Sequence, residues 1–362
     1  MDNHITFETE TLGNFAFKKA ETSGWVVPAG CTYTCTNGTV YSAGSAVPET
    51  YVMQVGDTFE DDDYTYKYGK CYKGTSWSNS SSNSWGVGAK TTSKSSYGAI
   101  YESINDKPVE RMDYTFYNCR ALTSAPVIPS SVTNMMNTFY SCMSLTSAPE
   151  IPNSVTNMNQ TFCGCSKLTS APTVIPGSVT NMENAFKNCT ALTSAPVISN
   201  GVTNMTSTFD GCSKLTSAPT VIPGSVTNMA KTFNGCTALA SAPVISNGVT
   251  NMTSTFQACA ALTSAPVIPS SVTNMSMTFY ACLSLVSAPV IPSSVTDMSM
   301  TFFSCTELKG DITINANPTS VSQCFYDCAK DEAHRITLKG SSTKLNELKA
   351  TGYNSGQYIT VE

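Results

Sequence analysis

The chain repeats itself, and the repeat decides what it can fold into. From Val109, Val132, Val155, Val179, Val202, Val226, Val249, Val272 and Val295, consecutive segments keep one order: Val, Met three residues later, Phe four after that, then Cys and Leu at two further steps of three. The spacing between copies is 23 residues, or 24 where the cysteines run from Cys165 to Cys189 and from Cys212 to Cys236. A segment this short cannot enclose its own apolar side chains, so the copies must stack and share one core. The predicted core columns are Phe116, Cys119 and Leu122; Phe139, Cys142 and Leu145; Phe162, Cys165 and Leu168; Phe186, Cys189 and Leu192; Phe209, Cys212 and Leu215; Phe233, Cys236 and Leu239; Phe256, Cys259 and Leu262; Phe279, Cys282 and Leu285; and Phe302, Cys305 and Leu308. A tenth frame keeps Phe325 and Cys328 but has Pro318, Val321 and Asp331 where Val, Met and Leu belonged, the decay expected where an array meets a cap.

Within a copy, Met135, Phe139 and Cys142 stand at i, i+4 and i+7, which predicts a short α or 3₁₀ helix with these groups on one face, the preceding Ser-Val-Thr-Asn serving both as a short extended piece and as its N-capping region. After Cys and Leu comes an extended segment such as LTSAPVIP, in which Leu122, Ala125 and either Val127 or Ile128 point inward while Pro126 and Pro129 mark bends. The longer copies insert Thr173 or Thr220 between Pro and the Val-Ile pair, so a bulge or turn at the edge of the rung absorbs the extra residue.

Val-Thr-Asn-Met, intact in the seven copies from Val132 to Met275 and Val-Thr-Asp-Met at Val295, with Phe-x-x-Cys and the following Leu, resembles the leucine-rich repeats of the BspA-like bacterial surface-protein class over residues 109–328, about 60% of the chain. The resemblance implies a solenoid with short parallel strands and short helical turns, and a role in adhesion or protein contact. The expected organisation is a mainly β docking or accessory module at residues 1–104, a leucine-rich-repeat solenoid at 105–330 and a C-terminal cap at 331–362. In the first module, residues 74–96 are rich in Ser, Gly, Asn and Lys and read first as a flexible loop, with an ordered β excursion anchored by Trp77 and Trp85 as the alternative. In the cap, residues 331–362 read as a strand, a short helix near 343–349 and another strand.

Composition narrows function more by exclusion. Charged residues make up 12% of the chain, against roughly a quarter in ordinary globular domains, and the net charge is −5. The 20 Lys and Arg are scattered and form no basic face of the kind nucleic acid requires. No stretch is long and apolar enough for a transmembrane helix, and the opening MDNHITFETETLGNF is not a secretory leader, so export by that route implies one already removed.

Of the 15 cysteines, ten follow the repeat and read as packing thiols, because zinc needs four converging ligands and each rung offers one. Disulfides within the column remain an alternative. Cys163, separated from Cys165 by one residue, points away from the column; Cys31, Cys35 and Cys71 are isolated thiols or a pair among themselves. Cys324 and Cys328 with His334 lack a fourth metal ligand, and neither His4 nor His334 joins a catalytic triad. The methionine column beside Phe reads as core rather than copper ligation. The acidic run at Glu60, Asp61, Asp62 and Asp63 lacks the alternation and glycine of an EF-hand and reads as a solvated turn. Asn204, Asn251 and Asn274 stand in glycosylation sequons produced by the repeat grammar.

Expected cofactors and metals are therefore none. The leading reading is a non-enzymatic adhesion or protein-interaction scaffold that binds a protein or glycan, at the cell surface or extracellular. A phage virion protein, such as a fibre or surface-decoration subunit with homo-oligomeric or particle assembly, is the alternative. A hydrolase using Asp57 and Asp61 to Asp63 is a third. The binding residues themselves are not identified by the repeat.

Overall fold

The computed structural model describes residues 24–353 and 356–362; His4 lies outside them. The repeats stack into a β-solenoid, one rung per copy, with little helix. Parallel bridges join Asn134, Asn157, Asn181, Asn204, Asn228, Asn251, Asn274 and Asp297 in one column, and a second column joins serines of successive LTSAP segments, as in Ser147 with Ser170 and Ser241 with Ser264. Val174–Ile175 pairs in parallel with Val197–Ile198, and Val221–Ile222 with Val244–Ile245.

Rung stacking aligns like with like. Ten phenylalanine rings from Phe116 to Phe325 form one ladder, with centroids 5.2–5.8 Å apart and ring planes within 2–15°. That is the offset-stacked geometry favoured by the aromatic quadrupole. The Phe, Cys and Leu columns from Phe116 through Leu308 are 0% exposed, as are Met112, Met135, Met158, Met182, Met205, Met229, Met252, Met275 and Met298. Buried polar groups are bonded between rungs. Cys165 Sγ donates to the Phe139 carbonyl at 3.1 Å, and Thr161 Oγ1 to the Met135 carbonyl at 2.9 Å.

The segment from Met to Cys is not helical. It is a run of tight turns, and two residues in each rung sit at positive φ: Asn137 and Ser141 both at 56°, with Ser254 and Ala258 at 55° and 57° in the equivalent places. Alternate amides bond within the rung, Thr138 to the Met135 carbonyl and Cys142 to that of Phe139. The intervening ones, from Met135, Asn137, Phe139 and Ser141, donate to the next rung at 2.8–3.0 Å. The Asn that was expected to cap a helix closes an Asx turn instead, Asn134 Oδ1 accepting from the Met136 amide at 2.9 Å. Asn, Ser and Thr are indifferent helix formers. The next rung supplies partners that a helix would have to find in its own backbone, so the turns win while keeping Met, Phe and Cys inward.

Non-Gly residues at positive φ cost about 1 kcal/mol each. In the column two residues after Phe, Gly164, Gly211 and Gly235 already adopt φ of 69–77°. Ala281, at φ 55°, is expected to gain up to about 1 kcal/mol on Ala281→Gly. A urea midpoint that rises checks this; a fall would show that the methyl packs usefully.

In the LTSAPVIP segments the inward residue is Ile, not Val: Ile128 is 4% exposed and Val127 52%. Thr173 and Thr220 form bends at the outer edge, where Thr173 N–H and Oγ1 donate to Glu150.

The N-terminal region is mainly β. Its seven-stranded sheet runs in the order Ser103–Ile104, Lys107–Arg111, Trp85–Ala89, Tyr64–Tyr68, Thr58–Glu60, Thr32–Thr34, Val40–Ser42. Residues 74–96 are not the flexible loop of the first expectation. Trp77–Asn79 pairs with Lys70–Tyr72, and Trp85–Ala89 is wholly buried, with Trp85 Nε1 donating to the Ile104 carbonyl at 3.1 Å. The tryptophans order a composition that would otherwise stay solvated. Lys107–Arg111 pairs in parallel with Trp85–Ala89, and Arg111 then bridges to Asn134, so the sheet feeds directly into the asparagine column. One hydrophobic cluster extends from Trp25 to Ile359. At the C-terminal end Gly310–Thr313, Ile336–Lys339 and Ile359–Val361 stack as three parallel strands, with the helix Leu345–Ala350 packed beside them.

Candidate functional site: the outward columns of the solenoid

Because the inward positions are spent on packing, the positions that differ from rung to rung are those free to carry recognition. One residue after each Phe, the column on the other side of the turn reads Tyr117, Tyr140, Cys163, Lys187, Asp210, Asn234, Gln257, Tyr280, Phe303 and Tyr326, half-buried throughout except for Cys163 and Asp210, which are buried. Aromatic groups occupy both ends. Tyr117 and Tyr140 stack at 5.0 Å; Tyr280, Phe303 and Tyr326 stack at 4.7 Å per step, and Tyr353, 77% exposed, continues the ladder at 5.7 Å. The middle is polar. Lys187 Nζ lies 2.9 Å from Asp210 Oδ2, and Asn234 Nδ2 donates to Asp210 Oδ1 at 2.8 Å. Cys163 is buried but outside the main cluster, with its thiol pKa raised by burial and eased by Lys187.

The backing of this surface is rigid. Tyr280, Phe303 and Tyr326 each follow a Phe of the inner ladder and are held in register by Phe279, Phe302 and Phe325. A second outward feature is a valine column, Val174, Val197, Val221, Val244, Val267 and Val290, each 41–85% exposed. A cleft of about 470 Å³ opens beside it between Pro266, Val267, Pro289, Val290 and Pro292. Both columns are visible in the sequence when the repeats are aligned position by position; the apolar periodicity drew attention to the inward residues instead.

The N-terminal carboxylates have structural partners. Asp57 is 0% exposed and accepts from Tyr33 OH at 3.0 Å, Tyr51 OH at 2.7 Å and the amides of Thr36 and Gln54, both at 2.9 Å. Asp61 Oδ1 closes the turn by accepting from the Asp63 and Tyr64 amides at 2.8 and 2.7 Å; burial raises its pKa, and those two donors oppose the rise. Asp63 accepts from the Gly98 amide at 2.5 Å and from Lys94. Asp61, Asp62 and Asp63 line a cleft of about 280 Å³ with Cys31 and Tyr101, whereas Asp57 is bonded into the sheet and does not line it. The four carboxylates considered together from sequence are thus divided.

The cysteines and His334 also have local roles. Cys31 Sγ lies 3.3 Å from Tyr101 OH, and Cys71 Sγ 3.0 Å from Ser78 Oγ. Cys328 Sγ donates to the Phe302 carbonyl at 2.7 Å, while His334 faces Asp331 at 2.6 Å and Glu307 at 3.3 Å. Both carboxylates are held below their usual pKa, Glu307 chiefly by Lys330 and Asp331 chiefly by His334. Among the described residues no group of three or more His, Cys, Asp or Glu side chains is arranged to hold a metal ion. In the sequons, Asn204 Oδ1 accepts from both the amide and the hydroxyl of Thr206.

The repeat geometry agrees with a sequence-family match to the BspA type Leucine rich repeat region (6 copies), which covers residues 103–216, 174–277 and 227–348 in overlapping hits. The chain belongs to the BspA-type leucine-rich-repeat family. No curated protein matches it in sequence. Among solved structures, a leucine-rich repeat protein from Bacteroides ovatus is 18% identical and covers 86% of this chain and 99% of its own, with a TM-score of 0.39. A leucine rich cell surface protein from Faecalibacterium prausnitzii is 22% identical, covers 84% and 94%, and has a TM-score of 0.47. The T. pallidum Leucine Rich Repeat protein is 18% identical, covers 67% and 79%, and has a TM-score of 0.25. In this BspA-type chain, no helix among the described residues is long and apolar enough to cross a membrane.

Proposed function

We propose that this BspA-type chain is a non-enzymatic interaction scaffold of the adhesive kind, displayed at the cell surface or outside the cell, which grips a protein partner along its outward aromatic column. The observation that carries the reading is the ladder of Tyr280, Phe303 and Tyr326, seated on a stacked core ladder. Pre-ordered aromatic groups lose little conformational freedom on binding and supply the rigid, amphipathic anchors found at interface hot spots. In this reading residues 1–104 are a docking or accessory module, 105–330 the recognition solenoid and 331–362 its cap.

The test uses the full chain, because a cut at residue 105 would strip Tyr97 from Phe116, its ring neighbour at 5.1 Å, and Trp85 from its strand partner Val109. The protein is screened against surface-protein and glycan panels beside a Phe303→Ser/Tyr326→Ser variant. The expected result is a protein ligand bound on the order of 30-fold more weakly by the variant, with the variant's circular dichroism unchanged. A glycan ligand, no specific ligand, or a protein bound equally by both chains would refute the assignment.

A further inference from the structure

The valine column lies on a stripe that is free of charge. Val174, Val197, Val221, Val244, Val267 and Val290 stand one per rung on six consecutive rungs. The segments that carry them, residues 171–178, 195–201, 218–225, 242–248, 265–271 and 288–294, contain no Asp, Glu, Lys or Arg. Charge returns at both ends: Glu150 takes the valine position in the preceding rung, and Asp311 pairs with Lys339 at 2.7 Å in the strands that follow. The Ile after each valine is buried, with exposures of 0–7%, so the valines stand on a packed floor and not on a mobile loop.

We propose that this stripe is a self-association face, occupied by the same stripe of a second copy in a two-fold, antiparallel arrangement. Three observations point to a second copy. Val174 pairs in parallel with Val197 and Val221 with Val244, and at the strand spacing of about 4.8 Å the six valines make a row roughly 25 Å long, which a two-fold axis between Val221 and Val244 lays against itself end for end. The exposed valine surface is on the order of 500 Å² per copy, the upper range for a lone apolar patch on a monomer, and two such faces with their proline walls reach the roughly 1,000 Å² at which a specific interface becomes stable. The chain as a whole is negatively charged at −5, and two copies meeting on this stripe bring no carboxylates together. The face is separate from the aromatic column, so the two proposals stand or fall independently.

Sedimentation of the full chain across the micromolar range tests it, with Val221→Glu/Val244→Glu and Val221→Lys/Val244→Lys variants alongside. The parent is expected to dimerise and each variant to remain monomeric, with self-association weakened on the order of a hundredfold by the unpaired charges. Melting temperatures should change little, since the side chains face solvent. Mixing the Glu and Lys variants should restore a dimer, because the two-fold axis sets opposite charges against each other. A parent that stays monomeric throughout overturns the proposal and leaves the stripe to a different partner. So does a dimer indifferent to both variants, or a mixture that fails to reassociate.

Discussion

Raised to about pH 10 under reducing conditions, the solenoid is expected to lose on the order of 10 kcal/mol of stability and unfold. Burial lifts the thiols of Cys142, Cys165, Cys189, Cys212, Cys236, Cys259, Cys282 and Cys305 above their ordinary value of 9.0, Cys212 and Cys282 to about 12. Below pH 9 both folded and unfolded chains hold these protons, and full stability is present. Above it the unfolded chain releases them while the folded chain does not, so each thiol removes about 1.4 kcal/mol per pH unit until its folded pKa is reached. The buried tyrosines add to the loss with the same sign, burial being the largest cause of the upward shift at Tyr33, Tyr64 and Tyr66. Urea titrations at a series of pH values, with reductant, give the slope directly. Replacing Cys236 by Ala should make the slope shallower by one thiol's share, whatever it does to stability at neutral pH. Stability that stays level from neutrality to pH 10 would contradict the account.

Phe209→Ala is expected to cost about 3–5 kcal/mol and to split the array in two. Phe209 stacks on Phe186 at 5.5 Å and on Phe233 at 5.6 Å, and it lies near the middle of the ladder. Truncation removes both ring contacts and opens a cavity that neighbouring backbones, bonded from rung to rung, cannot close. Repeat arrays are coupled only through nearest neighbours, so urea unfolding should become biphasic, the halves on either side of the gap melting separately. Phe325→Ala, at the end of the ladder with one stacked inner-ladder neighbour, Phe302, should cost less and leave a single transition. Equal losses from the two substitutions would mean that the ladder contributes rung by rung without coupling.

Much of the fold was legible because the packing constraint is written out nine times. A single Phe-x-x-Cys says little; the same landmarks returning at a spacing of 23 or 24 residues leave stacking as the way to bury them. The local backbone was not legible. Met135, Phe139 and Cys142 fall on one face of a helix and equally on one side of a run of turns, and what separates the two is whether alternate amides have a partner outside the rung. Residues 74–96 hide their order for a related reason. Their composition is that of a linker, and the burial of Trp85 against the strands Tyr64–Tyr68 and Lys107–Arg111 depends on neighbours distant in sequence.

The candidate faces were harder still. Val127 and Ile128 are adjacent apolar residues of similar size, and the choice of which one the rung turns inward is made by strand register. The outer aromatic column becomes a ladder only after stacking brings Phe303 to 4.7 Å from Tyr280 on one side and 4.7 Å from Tyr326 on the other.

The sequence by itself determined that this chain is a BspA-type solenoid, because short units with a constant apolar set have no other way to escape water. Tertiary structure alone decided that the arcs are turns rather than helices and that the rungs turn Ile128 and its counterparts in and the neighbouring valines out, because both follow from hydrogen bonds and contacts between rungs rather than from residues within one.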